Sequence, residues 1–211
     1  MDLDLDSVDL VLGTTRSVRR KLDFERPVEP ETIEACIALA TQAPTGRNAQ
    51  GWRFLVVTEP EKKRAVAELY RRALAHYRAL RAAEPAAEPP KAAYQQLADR
   101  MHELPVLILV CVEGRPEALS VAQQVAFYGS VLPAAWSLML ALRARGLGST
   151  WTTLHLLHEE EAARLLGIPE GVTQTVLLPV GYLRDAVLRP AERLAPGEVT
   201  YWNAWGVKRS R

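Results

Sequence analysis

Cysteine is scarce in this chain, with Cys36 and Cys111 the only two among 211 residues. Neither has a cysteine or histidine at metal-ligand or redox-motif spacing, and both lie in largely apolar stretches. We therefore expect two buried, small hydrophobic residues, with no structural disulfide and no metal site. The N-terminal MDLDLDSVDL is acidic where a signal peptide is basic, so the sequence predicts a protein of the reducing cytoplasm.

An excess of one charge is also missing, because 26 Lys and Arg face 25 Asp and Glu, a net charge of +1. A general nucleic-acid-binding protein needs a basic excess over one face, so no nucleic-acid partner is expected. The longest apolar stretch, 117–142, contains Glu117, Gln123, Gln124 and Pro133. That polarity is too high for a membrane span, so we predict a buried helix there and no membrane association.

The common signatures of catalytic and phosphate-binding loops are absent as well. The chain has no GxxxxGK[ST] loop and no GxSxG elbow, and GLGSTW at 146–151 is not a dinucleotide-binding fingerprint. His155 and His158 are three residues apart but have no further ligand at suitable spacing. Glu159, Glu160 and Glu161 are typical of a helix N-terminus. The sequence therefore predicts no catalytic side chain.

Helical and extended patterns alternate along the chain and predict an α+β fold, a small sheet among long helices. Strands are predicted for WRFLVVT, LPVLILVCVE and VTQTVLLPVGYL. Helices are predicted for SVDLVLG with Ser7 as N-cap, PETIEACIALATQA, PEKKRAVAELYRRALAHYRALRAA, AAYQQLADRMHE, a run over 116–146 kinked at Pro133, and EEEAARLLG. GLGSTW is predicted to be a turn, and the Ala/Pro/Glu-rich residues 82–91 an exposed excursion. With no internal repeat, residues 1–211 are expected to form a single domain.

Three segments carry the side chains that suit a bound ligand. The first is TTRSVRRKLDF, 14–24, in which Arg16 and Arg19 share one face of a helical turn with Ser17 beside them. Two guanidinium groups and a hydroxyl form a cage for a phosphate monoester, because the forked donors of arginine match phosphate oxygens. A solvated basic turn is the alternative for this segment.

The other two segments are loops. APTGRNAQGWRF, 43–54, presents Thr45, Asn48 and Gln50, whose donors and acceptors suit the edge of a heterocycle; a polar helix-to-strand turn is the alternative. RGLGSTWTTLH, 145–155, presents backbone N–H groups and small hydroxyls, or else a glycine C-cap followed by an extended segment.

The order of these segments resembles that of the nitroreductase-like flavoproteins, a family that binds FMN. The resemblance is carried by TRSVRRKLDF, ALATQAPTGRNAQGWRFLVVTEPEKK, LALRARGLGSTW through LLGIPEGVTQTVLLPVGY, and RPAERLAPGEVTYWNAWG. It covers the chain except for the excursion at 82–91, and Pro-Thr-x-x-Asn-x-Gln-x-Trp is its most specific part. It implies a small, mostly antiparallel sheet surrounded by long helices, in an intertwined homodimer with an FMN at each of two interface sites.

The resemblance also implies roles for individual residues. The FMN phosphate and ribityl chain would be held by Arg16, Ser17 and Arg19, with a further phosphate contact from Arg193. The flavin bound mainly by the other subunit would be reached by Pro44, Thr45 and Asn48, with Gln50 on the same segment. The isoalloxazine would be lined by Trp151, Thr152, Thr153 and Leu154, and a backbone N–H near Thr153 would donate to flavin N5.

The activity that the resemblance implies is FMN-dependent oxidation of NADH or NADPH. Flavin N5 would carry the hydride, and a nitroaromatic, a quinone or a related small acceptor would be reduced in ping-pong order, with the excursion at 82–91 as a lid. Three alternatives stay open: a protein that binds or sequesters FMN with little turnover, a specialised dehalogenase or dehydrogenase on the same fold, and a helical interaction module without a cofactor.

Overall fold

The computed structural model describes residues 3–82 and 92–209. The chain divides into two compact units, Thr15–Ala186 and the two terminal segments Met1–Thr14 and Val187–Arg211. Residues 83–91, which make up nearly all of the predicted excursion and lid, lie outside the described residues.

A four-stranded sheet lies at the centre of the larger unit. Its strands are β1 (Trp52–Val57), β2 (Val106–Glu113), β3 (Leu147–Ser149) and β4 (Val172–Tyr182). They are arranged in the order β1-β2-β4-β3, and every neighbouring pair is antiparallel. The predicted α+β class with a small antiparallel sheet is therefore confirmed. All of β2 except Glu113 is buried, as its unbroken apolar run indicates.

Helices of the larger unit surround this sheet. In the larger unit they are α2 (Pro30–Ala40), α3 (Pro60–Ala82), α4 (Ala92–Arg100), α5 (Val121–Gly129), α6 (Leu132–Ala144) and α7 (Glu159–Leu166), and the terminal unit has α1 (Leu5–Thr14) and α8 (Pro196–Val199). Short 3-10 turns cover Gly46–Asn48, Met101–Glu103 and Leu154–His158. α2 begins at Pro30, where the missing N–H costs no helical hydrogen bond, and α7 ends at Gly167 with φ 68°.

The sheet is covered by apolar side chains on both faces. On one face α2 and α6 pack against alternate residues of β2 and β4, such as Ile108 and Leu178. On the other face α3, α7 and the Leu154–His158 turn enclose a small apolar pocket lined by Leu107, Leu109 and Leu177. β2 and β4 are thereby fixed as the central strands, and β1 and β3 as the edges.

Three of the predicted elements differ in the structure. The run 116–146 is two helices, because the chain turns at Ser130 and Val131, and Pro133 lies in the first turn of α6 rather than at a kink. The GLGSTW segment is not only a turn, since Leu147–Ser149 pairs with β4 as an edge strand. The cap of α1 is Asp4, whose carboxylate accepts hydrogen bonds from the backbone N–H and the hydroxyl of Ser7 (3.3 and 2.6 Å).

One helical stretch among the described residues, Val121–Ala144, is long and apolar enough to satisfy the length and composition criteria for a membrane span. The core helices of soluble proteins meet the same criteria. In this structure the stretch comprises α5 and α6 with two turn residues between them.

Candidate functional site

The arginine-rich N-terminal segment pairs with the edge strand β3. Ser17 forms a parallel β-bridge with Ser149, and the backbone N–H of Val18 donates to the carbonyl of Ser149 (2.9 Å). The hydroxyl of the fully buried Thr150 donates to the carbonyl of Val18 (2.5 Å). These bonds hold the backbone around Ser17 at the sheet edge, which excludes a simple solvated turn for that part of the segment. The prediction that Arg16 and Arg19 share one face of a helical turn is wrong, because residues 15–24 contain no helix and Ser17 pairs with the sheet.

The hydroxyl of Ser17 is itself part of this attachment. Its Oγ accepts a hydrogen bond from the backbone N–H of Trp151 (3.0 Å), although the two residues are 134 positions apart in the chain. The first and third predicted segments are therefore adjacent. Because Oγ accepts in this contact, the hydroxyl hydrogen of Ser17 is available to a ligand.

A pair of glycines lies beneath residues 22 and 23 of the same segment. Gly148 on β3 is paired with Gly181 on β4, and Leu22 crosses close to both. A Cβ atom at Gly181 would lie 2.8 Å from the backbone oxygen of Asp23, and one at Gly148 would lie 2.7 Å from side-chain atoms of Leu22 and Leu183. Only glycine at these positions allows so close an approach.

Arg19 is half-buried and lies over an aromatic ring. Its guanidinium carbon is 4.3 Å from the centroid of the Tyr94 ring on α4. Its Nε is buried and has no hydrogen-bond partner among the described residues. Burial raises the pKa of the neighbouring Tyr70 on α3, and Thr152 together with the positive charge of Arg19 opposes that shift. An unpartnered buried donor on a fixed cation suits an anionic ligand.

Trp151 is half-buried, and the other predicted flavin-lining residues follow directly after it. Thr152 is buried and exchanges two backbone hydrogen bonds with Leu177 on β4 (3.1 and 2.9 Å). Thr153 is exposed, and within residues 3–82 and 92–209 its backbone N–H has no hydrogen-bond partner. Leu154 is half-buried and begins the 3-10 turn. The segment thus presents one free donor on a backbone that β4 holds in place.

The second predicted segment, 43–54, is held together by hydrogen bonds between its own residues. The Thr45 hydroxyl oxygen accepts from the Gln50 backbone N–H (3.2 Å), and the Asn48 side-chain oxygen accepts from the Gln50 side-chain amide (3.1 Å). Arg47, Asn48 and Gln50 have positive φ angles of 55°, 53° and 51°. Pro44 is exposed at its start. Three non-glycine residues in the left-handed region are a strained arrangement of the kind that clusters at functional sites.

This second segment lies far from the first within one chain. Trp52, near the end of the segment, pairs with Val112 on β2, and Val112 pairs with Thr173 on β4. Ser149 on β3, which pairs with Ser17, lies opposite Val180 on β4, seven residues further along that strand. With strands about 4.8 Å apart and about 3.3 Å per residue, the separation is ~14 Å across the strands and ~23 Å along them. One chain therefore does not bring the two segments together.

The other two arginines predicted to contact the phosphate, Arg16 and Arg193, have exposed side chains. Arg16 is exposed beside Ser17. Arg193 belongs to the terminal unit, where its guanidinium donates to the carbonyl of Glu192 (2.9 Å) and its side chain is exposed.

Sequence reasoning missed Tyr94, Tyr70 and Ser149. The two tyrosines lie on helices with no motif around them, and only their packing against Arg19 and Thr152 distinguishes them. Ser149 is at the centre of a segment that was predicted to be a turn, so its pairing with Ser17 was not expected. Arg100 makes the same kind of contact as Arg19 but with a different ring: its guanidinium carbon lies 3.8 Å from the centroid of the Phe24 ring.

Comparison with known proteins identifies the family of this chain. Residues 12–182, which include all three predicted segments and the whole sheet, match the model of the family described as Nitroreductase family. The chain belongs to the nitroreductase family.

The relatives that the chain matches are named for more than one activity. The 5,6-dimethylbenzimidazole synthase of Rhodospirillum rubrum is 29% identical over 187 residues, which cover 85% of this chain and 83% of that protein. A protein of Thermus thermophilus named NADH dehydrogenase is 30% identical over 200 residues, covering 89% of this chain and 91% of that one.

One solved structure is similar over nearly the whole chain. It is oxidized iodotyrosine deiodinase bound to FMN and 3-iodo-L-tyrosine, 25% identical with a TM-score of 0.70, covering 94% of this chain and 100% of that one. Family membership therefore leaves the particular reaction of this chain open.

Proposed function

We propose that this protein is an FMN-dependent oxidoreductase that oxidises NADH or NADPH and reduces a nitroaromatic, a quinone or a related small acceptor in alternate half-reactions. The observation that carries the proposal is the hydrogen bond between Ser17 Oγ and the backbone N–H of Trp151. It joins the segment proposed to hold the FMN phosphate to the segment proposed to line the isoalloxazine.

The residues present fit FMN. The proposed phosphate cage combines Arg16 and Arg19 with the hydroxyl of Ser17, and the buried Nε of Arg19 lacks a partner within the described chain. A phosphate monoester carries about −1.5 to −2 charge near neutral pH, which two guanidinium groups balance. The backbone N–H of Thr153 is directed by a segment that β4 holds in place and is the proposed donor to flavin N5. Arg193 remains a proposed additional phosphate contact.

In this proposal the chain positions a cofactor and supplies charge. FMN, when bound, supplies the two-electron redox chemistry. Tyr94 orients Arg19, Ser17 donates its hydroxyl hydrogen, and the Thr153 N–H stabilises negative charge as it develops at its acceptor atom. No titratable side chain is needed to move a proton in this arrangement.

A homodimer with FMN sites at its interface is part of the proposal. The two ligand-binding segments lie at opposite edges of one sheet, so Pro44, Thr45, Asn48 and Gln50 would approach the flavin held by a second copy. α5 has no buried residue in the single chain, and its Val121 and Val125 are 76% and 68% exposed. Apolar side chains this exposed favour burial against another subunit.

The visible spectrum of the purified protein tests this function. After incubation with FMN and removal of unbound flavin, the wild type is expected to stay yellow, to bleach with NADH or NADPH, and to oxidise that donor steadily with menadione. Arg19→Ala should weaken FMN binding at least about tenfold through loss of a charge-assisted contact, whereas the exposed Arg20→Ala should not. A colourless wild type would contradict the proposal, and a yellow protein that no donor reduces would indicate flavin binding without turnover.

Reductive dehalogenation is a second candidate. It is favoured by the similarity to the deiodinase structure, all of which this chain covers at a TM-score of 0.70. Iodide release from 3-iodo-L-tyrosine by the chemically reduced, FMN-loaded protein would support it, whereas menadione reduction without iodide release would favour the first candidate.

A further inference from the structure

A second cavity in the larger unit lies between the strained loop at 44–51 and α5. Its volume is about 280 Å³. The loop is fastened to the end of α5, because the backbone N–H of Gly46 donates to the hydroxyl oxygen of Ser130 (3.0 Å), and Ser130 in turn donates to the carbonyl of Ala126 (2.8 Å). Both walls of the cavity are therefore held in fixed positions.

The cavity walls suit a single aromatic ring. Trp52 is buried at the start of β1, and the half-buried ring of Phe127 on α5 packs edge-on against Tyr128 (5.4 Å between centroids). An edge-on neighbour fixes the plane of the Phe127 ring and leaves its remaining surface to the cavity. Pockets for drug-sized ligands start near 300 Å³, so about 280 Å³ fits a one-ring compound with one or two substituents.

The charged groups at this cavity leave one positive charge without a partner. Arg47 lines the cavity and forms no hydrogen bond or ion pair within the described parts of the chain. Glu113 also lines it, but its carboxylate is paired with Arg53 (2.5 Å). The side-chain oxygen of Gln123 is used by the N-terminal cap of α5. The net field in the cavity is therefore that of a guanidinium.

We propose that this cavity binds the ring of a small aromatic acceptor that carries a carboxylate, and that Arg47 selects for that anionic group. A guanidinium offers two parallel donors to a carboxylate, and the left-handed backbone at Arg47 (φ 55°) fixes where its side chain leaves the loop. The inference rests on the proposed function, which places this loop beside the flavin of a second copy.

A pair of acceptors that differ only in charge tests the proposal. Steady-state kinetics would compare 4-nitrobenzoate with the neutral 4-nitrobenzamide in the FMN-loaded wild type, Arg47→Ala, Arg47→Lys and the control Arg64→Ala on α3. Arg47→Ala should lower kcat/KM for the benzoate about tenfold, chiefly through KM, and change the amide less than about twofold, because only the anion loses a charge-assisted contact. Arg47→Lys should restore part of the benzoate preference, and Arg64→Ala should match the wild type.

Further results separate failure of this inference from failure of the proposed function. FMN content and circular dichroism of Arg47→Ala establish that the variant is folded. If that folded variant reduces both acceptors like the wild type, or loses both equally, Arg47 does not select the anion and the inference is overturned. If the wild type reduces neither acceptor and not menadione, the proposed function fails. Calorimetric binding of 4-nitrobenzoate to wild type and Arg47→Ala then decides the inference by itself, since equal affinity overturns it.

Discussion

His155 is an uncharged histidine in an apolar setting directly after the proposed flavin-lining segment. It is 2% exposed, both ring nitrogens lack hydrogen-bond partners among the described residues, and its neighbours in the small pocket are aliphatic side chains from α3, α7 and the sheet. Burial lowers the pKa of His155 to about 4, and no nearby charge contributes to this shift. Protonation of His155 in the folded protein is therefore costly.

This burial makes stability sensitive to acid. The unfolded histidine has a pKa of about 6.5, so below that pH the unfolded state binds a proton that the folded state takes up only near pH 4. Above about pH 6.5 the buried His155 does not reduce the free energy of unfolding. As the pH falls from there towards 4, the free energy of unfolding decreases. Between pH 7 and pH 5 the wild type should lose about 2 kcal/mol of unfolding free energy more than His155→Leu does.

Urea denaturation of both proteins at the two pH values measures this difference. His76→Leu, at an exposed position on α3, is the matched control and should keep the wild-type pH dependence. Equal losses in the wild type and His155→Leu would contradict the prediction.

Tyr94 is expected to act through Arg19. A guanidinium over an aromatic ring contributes about 0.5–2 kcal/mol, and in this chain that contact sets the position of the proposed phosphate ligand. Tyr94→Leu should weaken FMN affinity roughly 2- to 30-fold, whereas Tyr94→Phe, which keeps the ring, should stay within about twofold. Fluorescence titration with FMN measures both, and equal weakening in the two variants would assign the effect to the hydroxyl instead.

At the scale of elements, the contact between the N-terminal segment and the β3–β4 edge is the feature on which the candidate site depends. Residues 17–23 reach the sheet through backbone hydrogen bonds at Val18 and Asp23 (2.9 and 2.8 Å) and pass over the Gly148–Gly181 pair. Backbone pairing at this distance leaves no room for a side chain beneath it.

Gly181→Ala should therefore displace the segment. The added methyl would lie 2.8 Å from the backbone oxygen of Asp23, so the segment has to move away and take Ser17 and Arg19 with it. We expect FMN affinity to fall by about tenfold or more, with a loss of roughly 1–3 kcal/mol in stability, as is usual for overpacking. Gly171→Ala, which meets nothing within 4 Å, is the control. Unchanged FMN affinity in Gly181→Ala would show that the contact is not required.

At the scale of the whole molecule, the opposite placement of the two segments predicts that FMN binding depends on the proposed homodimer. Val125→Glu puts a charge on the exposed apolar face of α5 and should convert a dimer to monomers, with loss of FMN binding in parallel. Leu80→Glu, at an exposed apolar position on α3, should remain dimeric. Light scattering with simultaneous flavin absorbance measures both properties, and monomers that keep wild-type FMN affinity would contradict the link.

Much of the fold follows from patterns in the sequence. The unbroken apolar run of β2 requires burial on both faces, Pro30 marks the first turn of α2, and Gly167 supplies the left-handed residue that ends α7. These features depend on the φ and ψ preferences of single residues and on the periodicity of their neighbours. A short stretch of sequence is therefore enough to predict them. The order of the three segments that are predicted to bind a ligand likewise indicates the nitroreductase family, and the family match confirms that family.

Only the tertiary structure decided how those segments meet. The bond from Trp151 to Ser17 spans 134 residues, and Leu147–Ser149 becomes a strand only because β4 and Ser17 pair with it on either side. Among the described residues, the lack of hydrogen-bond partners at His155 and of an ion-pair partner at Arg47 is likewise a property of their surroundings. Local preferences fix which elements form, whereas strand register and long-range hydrogen bonds fix which side chains share a site, because those contacts exist only after the sheet has assembled.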